Sequence, residues 1–86
     1  MGSYRIEFRR SAERDLRKIR TEMLPRILLA IEELASNPRP SGFRKLEGAE
    51  HSYRIRVGDY RVLYEVADKL LVVSIEHVRH RRDAYR

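Results

Sequence analysis

The sequence predicts an α+β domain: two N-terminal helices packed on one face of a four-stranded, mainly antiparallel sheet, in the order β-α-α-β-β-β. Three observations predict it. Apolar residues recur at helical spacing between residues 11 and 36, and strict alternation dominates from residue 52 onward. A dense cluster of helix breakers, Asn37-Pro38-Arg39-Pro40-Ser41-Gly42, separates the two regimes.

Each element has its own signal. Tyr4, Ile6 and Phe8 alternate with Arg5, Glu7 and Arg9, which reads as a first strand with one buried face. Ser11 suits a helix N-cap, and Glu13 and Asp15 complement the dipole in the first turn. Ala12, Leu16 and Ile19 follow at helical spacing, so the first helix covers about 11–20. A second helix is expected from about Leu24 to Ser36, with Pro25 in its first turn. Its apolar stripe is Ile27, Leu28, Ile31, Leu34 and Ala35. Strands are expected at 52–57, 60–67 and 70–79, joined by Gly58-Asp59 and Asp68-Lys69, both of two-residue hairpin length.

Those turn lengths set a register. A Gly58-Asp59 loop places Val57 opposite Tyr60, Arg56 opposite Arg61, Ile55 opposite Val62 and Arg54 opposite Leu63. An Asp68-Lys69 loop places Val62 opposite Ile75, Tyr64 opposite Val73 and Arg61 opposite Glu76. Directly opposed residues share a face. One face then collects Tyr53, Ile55, Val57, Tyr60, Val62, Tyr64, Val66, Leu71, Val73 and Ile75 as core, with His77 expected on the same side. The other collects Arg54, Arg56, Arg61 and Glu76, and reaches Val78 and His80. A like-charge pair such as Arg56 and Arg61 costs a sheet stability. Its presence points to a site for a polyanion rather than to a structural surface.

Composition supports that direction. Nineteen Lys+Arg against thirteen Asp+Glu give a net charge of +6, and all the cations except Lys18, Lys45 and Lys69 are arginine. Solubility alone needs no such bias, whereas planar recognition of phosphate favours arginine. The 86 residues are expected to form one domain, 1–86. Cysteine is absent, which excludes disulfides, thiolate metal sites and cysteine nucleophiles and suits the cytoplasm. Neither a membrane span nor a signal-peptide core is visible. Carboxylates clustered at metal-ligand spacing are also missing, so no metal or other cofactor is expected.

Three segments carry a family resemblance. Asn37-Pro38-Arg39-Pro40 before Gly42 and Lys45-Leu46-Glu47-Gly48, the hairpin from Tyr53 to Val66, and His80-Arg81-Arg82-Asp83-Ala84-Tyr85 together resemble the RelE/ParE superfamily of toxin–antitoxin toxins. The resemblance spans essentially the whole chain. It implies the RelE-like fold and one of two activities. RelE-like members cleave mRNA in the ribosomal A site; ParE-like members inhibit DNA gyrase without nuclease activity. His80 and the Tyr85 ending are more similar to the RelE-like branch.

Residue roles follow from the resemblance. Arg54 and Arg56 stand where the founding pattern has lysines, Arg61 matches the arginine after the turn, and Arg81 and Tyr85 match the C-terminal motif. A buried lysine can lose its proton but arginine effectively cannot, which restricts these positions to holding and stabilising phosphate. The expected catalytic set is Arg61, Arg81, His80 and Tyr85: two phosphate clamps, a proton-transfer group, and a base-stacking residue or weak acid. Arg54, Arg56, Arg44 and Lys45 are expected to bind the RNA backbone. Glu76 is the alternative general base, against which stands its expected pairing with Arg61. The implied partners are the ribosome, its mRNA and a small acidic RelB-like antitoxin.

Overall fold

The pattern resolves into seven elements in the computed structural model, which describes residues 3–83. They are β1 (Arg5–Phe8), α1 (Arg10–Arg17), α2 (Leu24–Glu33), β2 (Arg44–Lys45), β3 (Ser52–Val57), β4 (Tyr60–Ala67) and β5 (Val72–His80). The strands form one sheet in the order β1-β5-β4-β3-β2, antiparallel except for the parallel pair β1–β5. The expected α+β class holds, with one strand more than expected. The extra strand, β2, is two exposed residues long and leaves no periodicity to read; only its pairing with β3 defines it.

Ala12, Ile27, Ile31 and Leu34 from the helical half pack against alternate residues of β3, β4 and β5. Tyr64, Val62, Val73 and Ile75 at the sheet centre are wholly buried. Leu28 departs from the expected stripe and is exposed. Positions 27, 31 and 34 already span the width of helix that meets the sheet, and residue 28 lies on the flank. Ser11 is not the N-cap either. Arg9 occupies that position without a side-chain cap, and the Ser11 hydroxyl donates to the Glu76 carbonyl oxygen at 2.6 Å.

The Gly58-Asp59 turn has the expected two residues, with Gly58 at a φ of +60° that its lack of Cβ permits. The second turn does not. Ala67 pairs with Val72, so four residues bridge β4 and β5, and Leu71 is exposed at a φ of 55° instead of entering the core. A second irregularity follows along β5. Tyr64 pairs with Ile75 but Leu63 pairs with His77, leaving Glu76 as the extra residue of a β-bulge. Alternation therefore slips: Ile75 and Val78, three apart, are both buried. Val78 and His80 move to the helix side, opposite Val62 and Tyr60, while His77 and Arg79 move to the arginine side, opposite Leu63 and Arg61. The expected Arg61–Glu76 pairing is thus replaced by Arg61–Arg79.

The segment after α2 is tied down by polar contacts. The buried Tyr64 hydroxyl donates to the Pro38 carbonyl at 2.7 Å, and burial pushes its pKa up to about 12. Arg39 grips Asp68 with both guanidinium nitrogens, at 3.1 and 2.8 Å, and donates to the Tyr53 hydroxyl at 3.1 Å. Tyr4 adds a hydrogen bond to Asp68 at 2.7 Å. The Arg39 hydrogen bonds, then that of Tyr4, bring the Asp68 pKa down to about 2.

A depressed carboxylate pKa stabilises the fold above the unfolded value near pH 3.9, and that contribution disappears as pH falls towards 2. Half of the Asp68 side chain is exposed, at 49%, so screening keeps the effect small. Asp68→Asn should lower Tm at pH 7 by a few degrees relative to wild type, and the gap should close near pH 2 in thermal melts. A gap independent of pH would contradict the ion-pair account.

Candidate active site

Pairing across the sheet places basic residues in two adjacent rows on the face away from the helices. Arg56, Arg61 and Arg79 form one row across β3, β4 and β5. Arg44, Arg54, Leu63 and His77 form the next, running from β2 to β5. Arg44 thus lies on the arginine face. Lys45, also expected to bind the RNA backbone, pairs with Tyr53 and lies on the opposite side of the sheet.

The acidic residues of this face lie towards its other end. Arg9 reaches over to Glu65 at 2.9 Å and stands 4.0 Å from Glu76. Those contacts hold both carboxylates on the β1 side.

The first row ends in a cleft of about 370 Å³, formed where the β3–β4 turn meets the segment after β5. Arg56, Arg61, Arg81 and Arg82 line it, with Asp59 and Tyr60. The backbone N–H of Arg81 donates to the Asp59 carbonyl at 2.7 Å, which anchors the C-terminal turn to the hairpin tip. Three residues expected from sequence to act together, Arg56, Arg61 and Arg81, are therefore brought together. Arg54 lies one row away on the same face. Tyr85 lies outside the described residues.

His80 does not lie on the face expected for it. The bulge turns it to the helix side, where its ring packs edge-on against Tyr60 with centroids 5.3 Å apart. Its Nδ1 accepts the backbone N–H of Arg82 at 3.2 Å. In the neutral ring the proton then sits on Nε2, and no lone pair remains open to accept another. His80 shapes the turn that carries Arg81 and Arg82. Three residues on the arginine side were missed: Arg79 in the first row, Arg82 in the cleft and His77 in the second row. One signal could have found them. Ile75 and Val78 are separated by two polar residues in an otherwise alternating strand, which is the trace of a bulge.

Among the described residues no three His, Asp or Glu side chains gather closely enough to ligate a metal. What the site offers is a fork-shaped array of guanidinium groups at the open end of a sheet, suited to a phosphodiester.

A small basic α+β domain with an arginine-lined cleft is the class that this fold and site define. The chain matches the family model of the ParE toxin of the type II toxin–antitoxin system parDE over residues 6–85. Toxin RelG of Mycobacterium tuberculosis is 35% identical over 88 residues, covering 96% of this chain and 97% of RelG. Among solved structures, the archaeal RelE–RelB complex from Pyrococcus horikoshii matches with a TM-score of 0.82 at 30% identity, over 94% of this chain and 98% of that one. The isolated RelE toxin of Escherichia coli gives 0.80 at 26% identity, over 96% and 92%. The protein belongs to the RelE/ParE superfamily of type II toxin–antitoxin toxins and is RelE-like.

Proposed function

We propose that this toxin is an endoribonuclease that cleaves mRNA in the ribosomal A site, with the scissile phosphodiester held in the arginine cleft. The observation that carries the reading is the convergence of Arg56, Arg61 and Arg81 on one cleft. Cleavage through the 2′-hydroxyl requires in-line attack on the adjacent phosphorus and stabilisation of the negative charge that builds on its oxygens. Arg61 and Arg81 bind those oxygens, while Arg56, Arg54 and Arg44 hold flanking phosphates. An incoming phosphate also relieves the repulsion between Arg56 and Arg61. Tyr85 stacks on a base of the codon.

The ribosome supplies the codon geometry and the polyanionic surface that a +6 protein seeks. The same charge suits a small acidic antitoxin, and the archaeal neighbour is itself a RelE–RelB complex. None of the described helices is long and apolar enough to cross a membrane, and an mRNA target places the toxin in the cytoplasm.

The family model that matches is the ParE one, so gyrase is the rival target. Purified protein should cut mRNA on programmed ribosomes and leave gyrase supercoiling unaffected; inhibition of gyrase with intact mRNA would overturn the proposal. His80→Gln should cost at most several-fold in cleavage rate. A loss of orders of magnitude would return His80 to the reaction.

A further inference from the structure

Arginines can hold the phosphate but cannot take the 2′-hydroxyl proton. His80 has its Nδ1 engaged and faces the helices. The group that accepts the proton has to come from elsewhere, and the arginine side holds one histidine among its described residues.

That histidine is His77. Its Nδ1 lies 3.1 Å from the Asp15 carboxylate, and its Nε2 lies 3.4 Å from the Arg79 guanidinium. A carboxylate only accepts and a guanidinium only donates, so the two contacts together fix the tautomer. Nδ1 carries the hydrogen, and Nε2 presents its lone pair. Asp15 is itself held, because its Oδ2 also accepts the Val78 backbone N–H at 2.9 Å. This contact exists because β1 stops at the Phe8–Ile75 pair, leaving the edge of β5 beyond it to α1.

The bulge at Glu76 is what brings His77 to this face. His77 is the diagonal neighbour of Arg61 across β4 and β5, a separation of about 7–8 Å between Cα atoms. A phosphodiester on Arg61 therefore lies within side-chain reach of the imidazole, which is 32% exposed. The contact to Arg79 is long, and a phosphate that draws Arg79 towards the arginine row uncovers the Nε2 lone pair.

We infer that His77, oriented by Asp15, is the general base of the proposed cleavage. The inference rests on the endoribonuclease reading. In the step, the 2′-hydroxyl proton passes to Nε2 as the 2′-oxygen forms its bond to phosphorus. The P–O5′ bond breaks, its electron pair goes to the 5′-oxygen, and that oxygen takes a proton from water. The products are a 2′,3′-cyclic phosphate and a 5′-hydroxyl, and His77 returns its proton to solvent.

The test is single-turnover cleavage on programmed ribosomes. His77→Gln preserves hydrogen bonds to both Asp15 and Arg79 but cannot accept the proton at neutral pH. It should lose about 100- to 10,000-fold in rate while its affinity for ribosomes stays unchanged. His77→Ala should lose as much and regain cleavage with added imidazole. Asp15→Asn leaves at most a neutral amide oxygen where Oδ2 accepted from both Nδ1 and the Val78 N–H, so the imidazolium that forms loses its carboxylate partner and the reaction should slow.

Failure can be assigned. If the wild type leaves mRNA intact, the endoribonuclease reading itself falls. If the wild type cleaves and His77→Gln cleaves equally well, only the role of His77 falls. The same holds if His77→Gln cleaves normally while His77→Ala is slow and imidazole restores nothing, which would make His77 a support for Arg79.

Discussion

Arg61→Ala is expected to reduce mRNA cleavage on ribosomes by about 100- to 1,000-fold, the usual consequence of removing one preorganised donor to a developing oxyanion. Arg61 sits on β4, the middle strand of the sheet, with Arg56 on one side and Arg79 on the other. No other side chain in the row can take its place without leaving its own strand. The loss should appear in the rate of the bound complex more than in ribosome affinity, because many other cations contribute to binding. Arg61→Lys keeps the charge and loses the planar fork, so it should recover only part of the rate. Thermal melts of both variants should stay close to wild type, since Arg61, although partly buried, lies on the face of the sheet opposite the core. Full activity of Arg61→Ala would remove the phosphate clamp from the account.

The largest effect on stability is expected from Tyr64→Ala, which should cost about 3–5 kcal/mol by analogy with other large aromatic truncations. Tyr64 is wholly buried on the central strand, and its hydroxyl holds Pro38 at 2.7 Å. A loss of that size takes away a large part of what a small domain has in total. Tyr64→Phe removes the hydroxyl alone and should cost about 1 kcal/mol, with the Pro38 carbonyl left to find water. Denaturant titration distinguishes the two. Equal costs for Phe and Ala would mean that the hydrogen bond, not the ring, secures the segment after α2.

Much of this fold was legible because the sheet has one wet face and one dry face. Alternation then identifies β3 and β4 residue by residue, and the Gly58-Asp59 turn fixes how they pair. The Arg56–Arg61 pair follows from that pairing, and Arg81, expected from the family resemblance, joins it through its hydrogen bond to the Asp59 carbonyl. Legibility ended at β5, where a four-residue turn and a bulge each added chain that the hydrophobic pattern does not announce. The turn displaced Leu71. The bulge moved Val78 and His80 to one side, His77 and Arg79 to the other, and so exchanged the histidine available to the arginine face. A one-residue insertion in a strand with period two reverses every later assignment. The contact between Asp15 and His77 was beyond reach for another reason: it joins residues 62 apart in sequence, through an edge that α1 covers only because β1 is short.

The proposed cleavage depends on the message supplying its own nucleophile, and one substitution in the substrate tests that directly. Ribosomes would be programmed with mRNA carrying a single 2′-deoxynucleotide on the 5′ side of the linkage that the wild-type toxin cuts. The toxin should bind these ribosomes as it binds unmodified ones and leave that linkage intact, while the all-ribose message yields a 5′ fragment ending in a 2′,3′-cyclic phosphate. Cleavage of the deoxy linkage at an undiminished rate would contradict attack by the 2′-hydroxyl and with it the role assigned to the arginine cleft.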